Sequence, residues 1–157
     1  MTTQRSRRPF LLLVLLSAVL LFTAFGGIFG GIQLINDPTG SSMNMPLSAL
    51  ERTPFRDYTL PGYILMFVYG FGGVLSVYGL WTRARLPYDI LLSHWTHEFW
   101  AWDTSLLLGF VLMIWLTYQV IFYPAFAPIQ FVMYGAAILL IGLPLLDPLR
   151  EYFREEA

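Results

Sequence analysis

Both histidines of the chain fall in one short stretch, Ser93-His94-Trp95-Thr96-His97-Glu98-Phe99-Trp100-Ala101-Trp102-Asp103. In a helix, His94, His97 and Glu98 would recur at i, i+3 and i+4 and share one stripe. Two imidazoles and a carboxylate on one stripe suit zinc, iron or manganese. The spacing departs from the zinc-protease pattern, which sets two histidines at i and i+4 around a glutamate. A single face also offers few ligands, so a metal or pigment here needs an outside contribution. On the same turns Trp95, Phe99 and Trp102 form an aromatic face, and tryptophan favours the headgroup level of a bilayer. The stretch reads first as the wet edge of a membrane helix. His94, His97 and Glu98 then face water or a partner, with a metal or pigment contact as the alternative. Trp81, Trp95, Trp100 and Trp102 are expected to act as interface anchors.

The elements that would hold this stretch follow from composition. The 157 residues are 57% hydrophobic and 12% charged, against about 25% charged in an ordinary soluble domain. The apolar residues gather into four long blocks: about 10–35, 60–81, 104–123 and 125–146. A bilayer core of about 30 Å needs roughly 20 helical residues. The expected fold is thus all-α, a single integral membrane four-helix bundle. It has an ordered outer loop over 36–59 and an inner connection over 82–103 carrying a short interfacial helix. Net charge is −1, so no overall field draws nucleic acid. Cysteine is absent, which excludes disulfides, thiolate nucleophiles, iron–sulfur clusters and thioether-linked haem.

Arginine placement gives orientation. Arg5, Arg7, Arg8, Arg83, Arg85, Arg150 and Arg154 lie on the side of the termini, and only Arg52 and Arg56 on the other. The positive-inside rule then puts both termini in the cytoplasm, in a cell (inner) membrane. Ser6-Arg7-Arg8-Pro9-Phe10-Leu11 resembles a twin-arginine export signal. The run after it is long and lacks a small-x-small cleavage site, so a retained anchor is the expectation.

Lipid tails give helices no hydrophobic reason to associate, so packing depends on close backbone approach. Gly26, Gly27, Gly30 and Gly31 make a groove two glycines wide on span one. Gly70, Gly72, Gly73, Ser76 and Gly79 offer a partner surface on span two, and Gly135, Ala136 and Gly142 one on span four. The mid-span polar residues (Thr23, Gln33, Ser76, Thr117, Gln119 and several tyrosines, Tyr69 among them) carry no charge. This disfavours an ion pump or a proton-coupled carrier.

The outer loop begins with a turn at Asp37-Pro38-Thr39-Gly40. A short helix could start at Pro46. Thr53-Pro54-Phe55-Arg56-Asp57-Tyr58 then returns the chain to span two. Asp37, Pro38, Arg52, Arg56, Asp57 and Tyr58 are its candidate structural residues. Its many apolar side chains predict a folded cap rather than a disordered tether.

These loop residues, Asp37–Gly40, Met45–Ser48, Thr53–Phe55, Asp57–Tyr58 and Pro61–Gly62, resemble the first extracellular loop of a family of small four-helix bacterial membrane proteins of unknown function. Gly26–Gly31 before the loop, Tyr78–Arg85 after span two, Ile114–Phe122 and Pro128–Leu146 extend the resemblance over most of the chain. It implies a fold and no activity. The segment Leu86–Asp103, with its histidines, departs from the family pattern, which goes directly from the arginines to span three.

Together these features predict a non-catalytic accessory subunit of a larger membrane assembly. Its partners would be membrane lipids and other integral membrane proteins, without nucleic acid. No cofactor is predicted, and bound lipid, quinone or pigment would be compatible. The alternative is a small-ligand, metal or haem protein built on His94, His97 and Glu98. No nucleophile triad, phosphate loop or paired-acid motif favours an enzyme.

Overall fold

Long apolar runs become helices because only a helix satisfies every backbone N–H and C=O within its own segment. The computed structural model describes residues 3–84, 99–122 and 128–154. Within them the chain forms α1 (Thr3–Asn36), α2 (Thr59–Thr82), α3 (Trp100–Phe122), α4 (Pro128–Leu145) and α5 (Asp147–Arg154). The first four are long and apolar enough to cross a membrane, and no strand occurs among the described residues. The architecture is that of a multi-pass membrane protein.

The helices are arranged in a ring. α1 packs closely on α2 and α3 on α4, while α2–α3 and α4–α1 contacts close the circle. Leu16 and Leu20 of α1, Leu108, Leu112 and Leu116 of α3, and Leu140 of α4 fill the centre. One end of the bundle carries the folded 37–58 connection, the cap. The other carries the first turns of α1 and the short α5.

Glycine decides where two helices can touch. A Cβ on Gly27 would lie 2.8 Å from the Leu65 carbonyl oxygen, and one on Gly31 2.7 Å from that of Gly62. Gly70 meets Ile28 and Gly73 meets Ala24 across the same seam. On the opposite hairpin Gly109 of α3 lies against Leu140 and Ile141, each 2.9 Å from a built Cβ. Ser76 is fully buried, its hydroxyl donating to the Gly72 carbonyl one turn back at 2.8 Å. Among the described residues, Gly72 has only its own helix within reach, and Gly135 and Gly142 have open space beside them. These three glycines take no part in helix packing, and Ala136 and Ala137 fill the buried face of α4 instead.

The cap is closed by its own polar groups. The Asp37 carboxylate accepts from the Thr39 hydroxyl at 2.5 Å, the Ser42 N–H at 2.7 Å and the Ser41 hydroxyl at 2.8 Å. These bonds hold its carboxyl well below the usual carboxylate range, the Thr39 hydroxyl foremost. The Pro38 carbonyl accepts from the Tyr58 N–H at 3.0 Å. Tyr58, 1% exposed, donates its hydroxyl to the Pro46 carbonyl at 2.9 Å. Gly40, at φ +75°, has no room for a Cβ against the Met45 carbonyl and the Tyr58 ring. Asp57 accepts from the Thr59 N–H at 2.9 Å, at the start of α2. The helix expected from Pro46 is a single 3-10 turn, Leu47–Leu50. Glu51, Arg52, Arg56 and Asp57 are all exposed on the cap.

At the other end the tryptophans require a correction. Trp100 and Trp102, expected as interface anchors, are 3% and 4% exposed. The Trp100 indole lies on Gly79, where a Cβ would collide with its ring, and its N–H donates to the Ala84 carbonyl at 2.8 Å. The Trp102 N–H donates to the Pro144 carbonyl at 2.9 Å, satisfying an oxygen in the last turn of α4. Both rings tie helices together inside the bundle. Trp81 is half exposed, packs edge-on to Phe10 and donates to the Ser17 hydroxyl at 2.8 Å.

Because α3 begins at Trp100 rather than at the expected Thr104, Asp103 falls in its first turn, where the helix dipole favours a negative charge. It is 9% exposed.

A candidate binding cavity under the cap

The two glycine pairs of α1 do different things. Gly27 and Gly31 make the seam with α2. Gly26 and Gly30 sit one residue earlier, about 100° round the helix, and face a cavity of about 200 Å³ between the helices and the cap. A Cβ on Gly26 would come no closer than 3.5 Å to Met133 Cε, and one on Gly30 no closer than 3.9 Å to Met43 Cε. No helix or loop demands glycine at these positions.

The four long helices and the cap all contribute to the wall. α1 supplies Thr23, Gly26, Gly27, Gly30 and Leu34, and α2 supplies Pro61, Leu65 and Tyr69. α3 brings Trp115 and Gln119, α4 brings Gln130 and Met133, and the cap closes over them with Met43, Met45 and Tyr58. The lining is mostly apolar, with a few polar groups that could orient a guest.

Tyr69 stands out among these groups. It is 6% exposed, and its buried hydroxyl has no hydrogen-bond partner among the described residues. Thr23, by contrast, spends its hydroxyl on the Val19 and Leu20 carbonyls of its own helix. Tyr69 lies in Leu65–Phe71, a π-helical stretch of α2. Such stretches are rare and concentrate at functional sites. The wider turn changes which side chains after Leu65 face inward, so simple 3.6-residue spacing misplaces this face.

Sequence reading reached this site only in fragments. Tyr69 and Gln119 appear as uncharged mid-span residues and Met43 and Met45 as cap residues, while Trp115 and Gln130 carry no separate signal. The four glycines read as one groove, and only the structure shows that Gly31 serves the seam, Gly26 and Gly30 the cavity, and Gly27 both. His94, His97, Glu98 and Trp95 lie outside the described residues. Among the described residues no three His, Asp or Glu side chains cluster as a metal site. Comparison with protein-family models, curated proteins and solved structures gives no match to this chain.

Proposed function

We propose that the chain is a non-catalytic accessory subunit that seats against another integral membrane protein through the outward faces of α1 and α2. The observation behind this is an asymmetry in the exposed large side chains. Among the described side chains, the exposed aromatics on α1 and α2 are Phe10, Phe22, Phe25, Phe29, Tyr63, Phe67, Phe71, Tyr78 and Trp81, and those on α3 and α4 are Phe110 and Phe131. Several of these rings are already ordered by one another. Tyr63, Phe67 and Phe71 follow at 6.2 and 5.5 Å between centroids, and Phe25 lies 6.5 Å from Phe29. Lipid contact has no need of one aromatic side and one aliphatic side. Protein interfaces are enriched in aromatic rings, and rings stacked beforehand lose little freedom on docking.

A photo-crosslinking residue at Phe67 should give a discrete protein adduct in native membranes, and one at Ile138 on α4 lipid adducts only. Lipid adducts alone at both positions would refute the reading.

The arginine bias supports an orientation with both termini cytoplasmic and the cap outside, in the cell membrane. The chain has no cysteine, so a single introduced cysteine at Ser48 of the cap can be probed with a membrane-impermeant maleimide. Labelling from outside intact cells is expected. The loop motif supports placing the chain with the small four-helix bacterial membrane proteins it resembles.

A further inference from the structure

We infer that the cavity under the cap takes part of one acyl chain of a membrane phospholipid. This is independent of the docking reading, since it concerns the interior of the bundle and not its outward face.

The first observation is size and polarity. The cavity measures about 200 Å³, and an apolar cavity of about 150 Å³ already stays dry and binds benzene. No charged residue lines it. Thr23 spends its hydroxyl on its own helix. The Tyr69 hydroxyl is buried out of a guest's reach, so Tyr69 presents its ring. What remains is mostly hydrocarbon and methionine, a wall for a guest that asks for no hydrogen bond.

The second is depth. The cavity lies between helices long and apolar enough to cross a membrane, where hydrocarbon chains are the surrounding solvent. Its polarity runs as a lipid's does. Gln119 lines it near the cap end of α3. Leu112 lines it two turns, about 10 Å, further from the cap. An ester group belongs at the first level and a methylene chain at the second.

The third is the bare backbone on one wall. Among the described residues, a Cβ on Gly26 meets only the Met133 methyl, at 3.5 Å, and one on Gly30 only the Met43 methyl, at 3.9 Å. Methionine is flexible and fills irregular gaps, so these ends can move aside for a chain lying along α1. A phospholipid fits better than a free fatty acid, because its ester is uncharged whereas a carboxylate would find no cation among the lining residues.

The full chain is reconstituted into phosphatidylcholine vesicles holding a small fraction of phosphatidylcholine with a diazirine in one acyl chain. After irradiation, adducts are mapped by mass spectrometry of peptides. Leu112 and Leu116 line the cavity and are 8% and 4% exposed, whereas Ile114 of the same helix is 69% exposed. Lipid outside the bundle reaches Ile114 alone, so adducts on the two leucines as well are expected. Gly30→Leu fills the cavity and should remove the interior adducts while keeping the one on Ile114. Gly26→Leu, which meets only a methionine end, should do the same. Circular dichroism and thermal unfolding establish that the variants keep the fold. A fatty acid carrying the same diazirine, at the same mole fraction, should label the leucines more weakly. No interior adducts in the unaltered chain, undiminished interior adducts in the folded variants, or fatty-acid labelling of the leucines as strong as the phospholipid's would each overturn the assignment.

Discussion

The backbones of Gly31 and Gly62 touch: a Cβ on Gly31 would lie 2.7 Å from the Gly62 carbonyl oxygen, and one on Gly62 3.1 Å from that of Gly31. Both obstacles are backbone, which cannot rotate away as a side chain can. Gly31→Leu and Gly27→Leu are therefore expected to force α1 and α2 apart, at or above the roughly 1–3 kcal/mol typical of overpacking. Gly30→Ala, one residue away with 3.9 Å of clearance, should be neutral or slightly stabilising, because alanine is the better helix former. Thermal unfolding of the three variants in one detergent checks the order. Gly30→Ala melting below Gly31→Leu would contradict the assignment of the seam.

Tyr58 is the post around which the cap folds. Tyr58→Phe loses the bond to the Pro46 carbonyl and leaves that oxygen short of a donor, so a loss of about 1 kcal/mol is expected. Gly40→Ala combines a left-handed backbone with contact against the Tyr58 ring, and should open the cap further. Hydrogen exchange of the Ser41–Asp57 amides reports both. Faster exchange confined to the cap, with α3 and α4 unchanged, is the expected pattern.

Asp37 makes cap closure pH-dependent in a definite direction. Its carboxyl is held below the usual range by the Thr39, Ser42 and Ser41 donors. A depressed folded value means that its contribution is complete above the unfolded value of about 3.9 and is lost as pH falls toward the folded one. Cap protection from exchange, corrected for intrinsic rates, should thus be level between about pH 7 and 5 and decline only below about pH 4. Asp37→Asn should lower protection at neutral pH and flatten this acid limb. A variant still showing the same acid limb would show that another group carries it.

Arg83 ends α2 and fastens α5. Its backbone is left-handed at φ 52°, and its guanidinium lies 4.4 Å from the Tyr152 ring centroid and 5.5 Å from that of Phe153. It also donates to the Tyr152 carbonyl at 3.4 Å. A cation–π contact of this kind contributes about 0.5–2 kcal/mol, depending on how far it is desolvated. Arg83→Ala should free α5, seen as faster proteolysis after Leu146, while Arg83→Gly tests the backbone strain separately. Arg83→Lys should restore only part of the protection, because an ammonium lacks the planar face that stacks on the rings.

Composition and residue order were enough to read an all-helical chain with four helices long and apolar enough to cross a membrane. The number of spans, their approximate limits and the uncharged interior follow from composition and length, because burial in lipid is non-directional and counts apolar residues in a row. The turn at Asp37–Gly40 was also legible, since its residue types bond to their own backbone. α5 left a readable trace that hydropathy overlooks: Asp147 and Pro148 at a helix start, with Leu149 and Phe153 one turn apart, both buried. Which way each residue faces came from helix packing. In a span apolar all round, no polar side marks the exterior, so sequence could not tell Gly27 and Gly31 from Gly26 and Gly30, nor a lipid-edge tryptophan from the buried Trp100 and Trp102. The π-helical stretch at Leu65–Phe71 added a register change with no periodic signature, and it sets Tyr69 in the cavity. Packing of one helix against another fixed these rotations, because close contact between particular backbones is what separates one apolar face from the next.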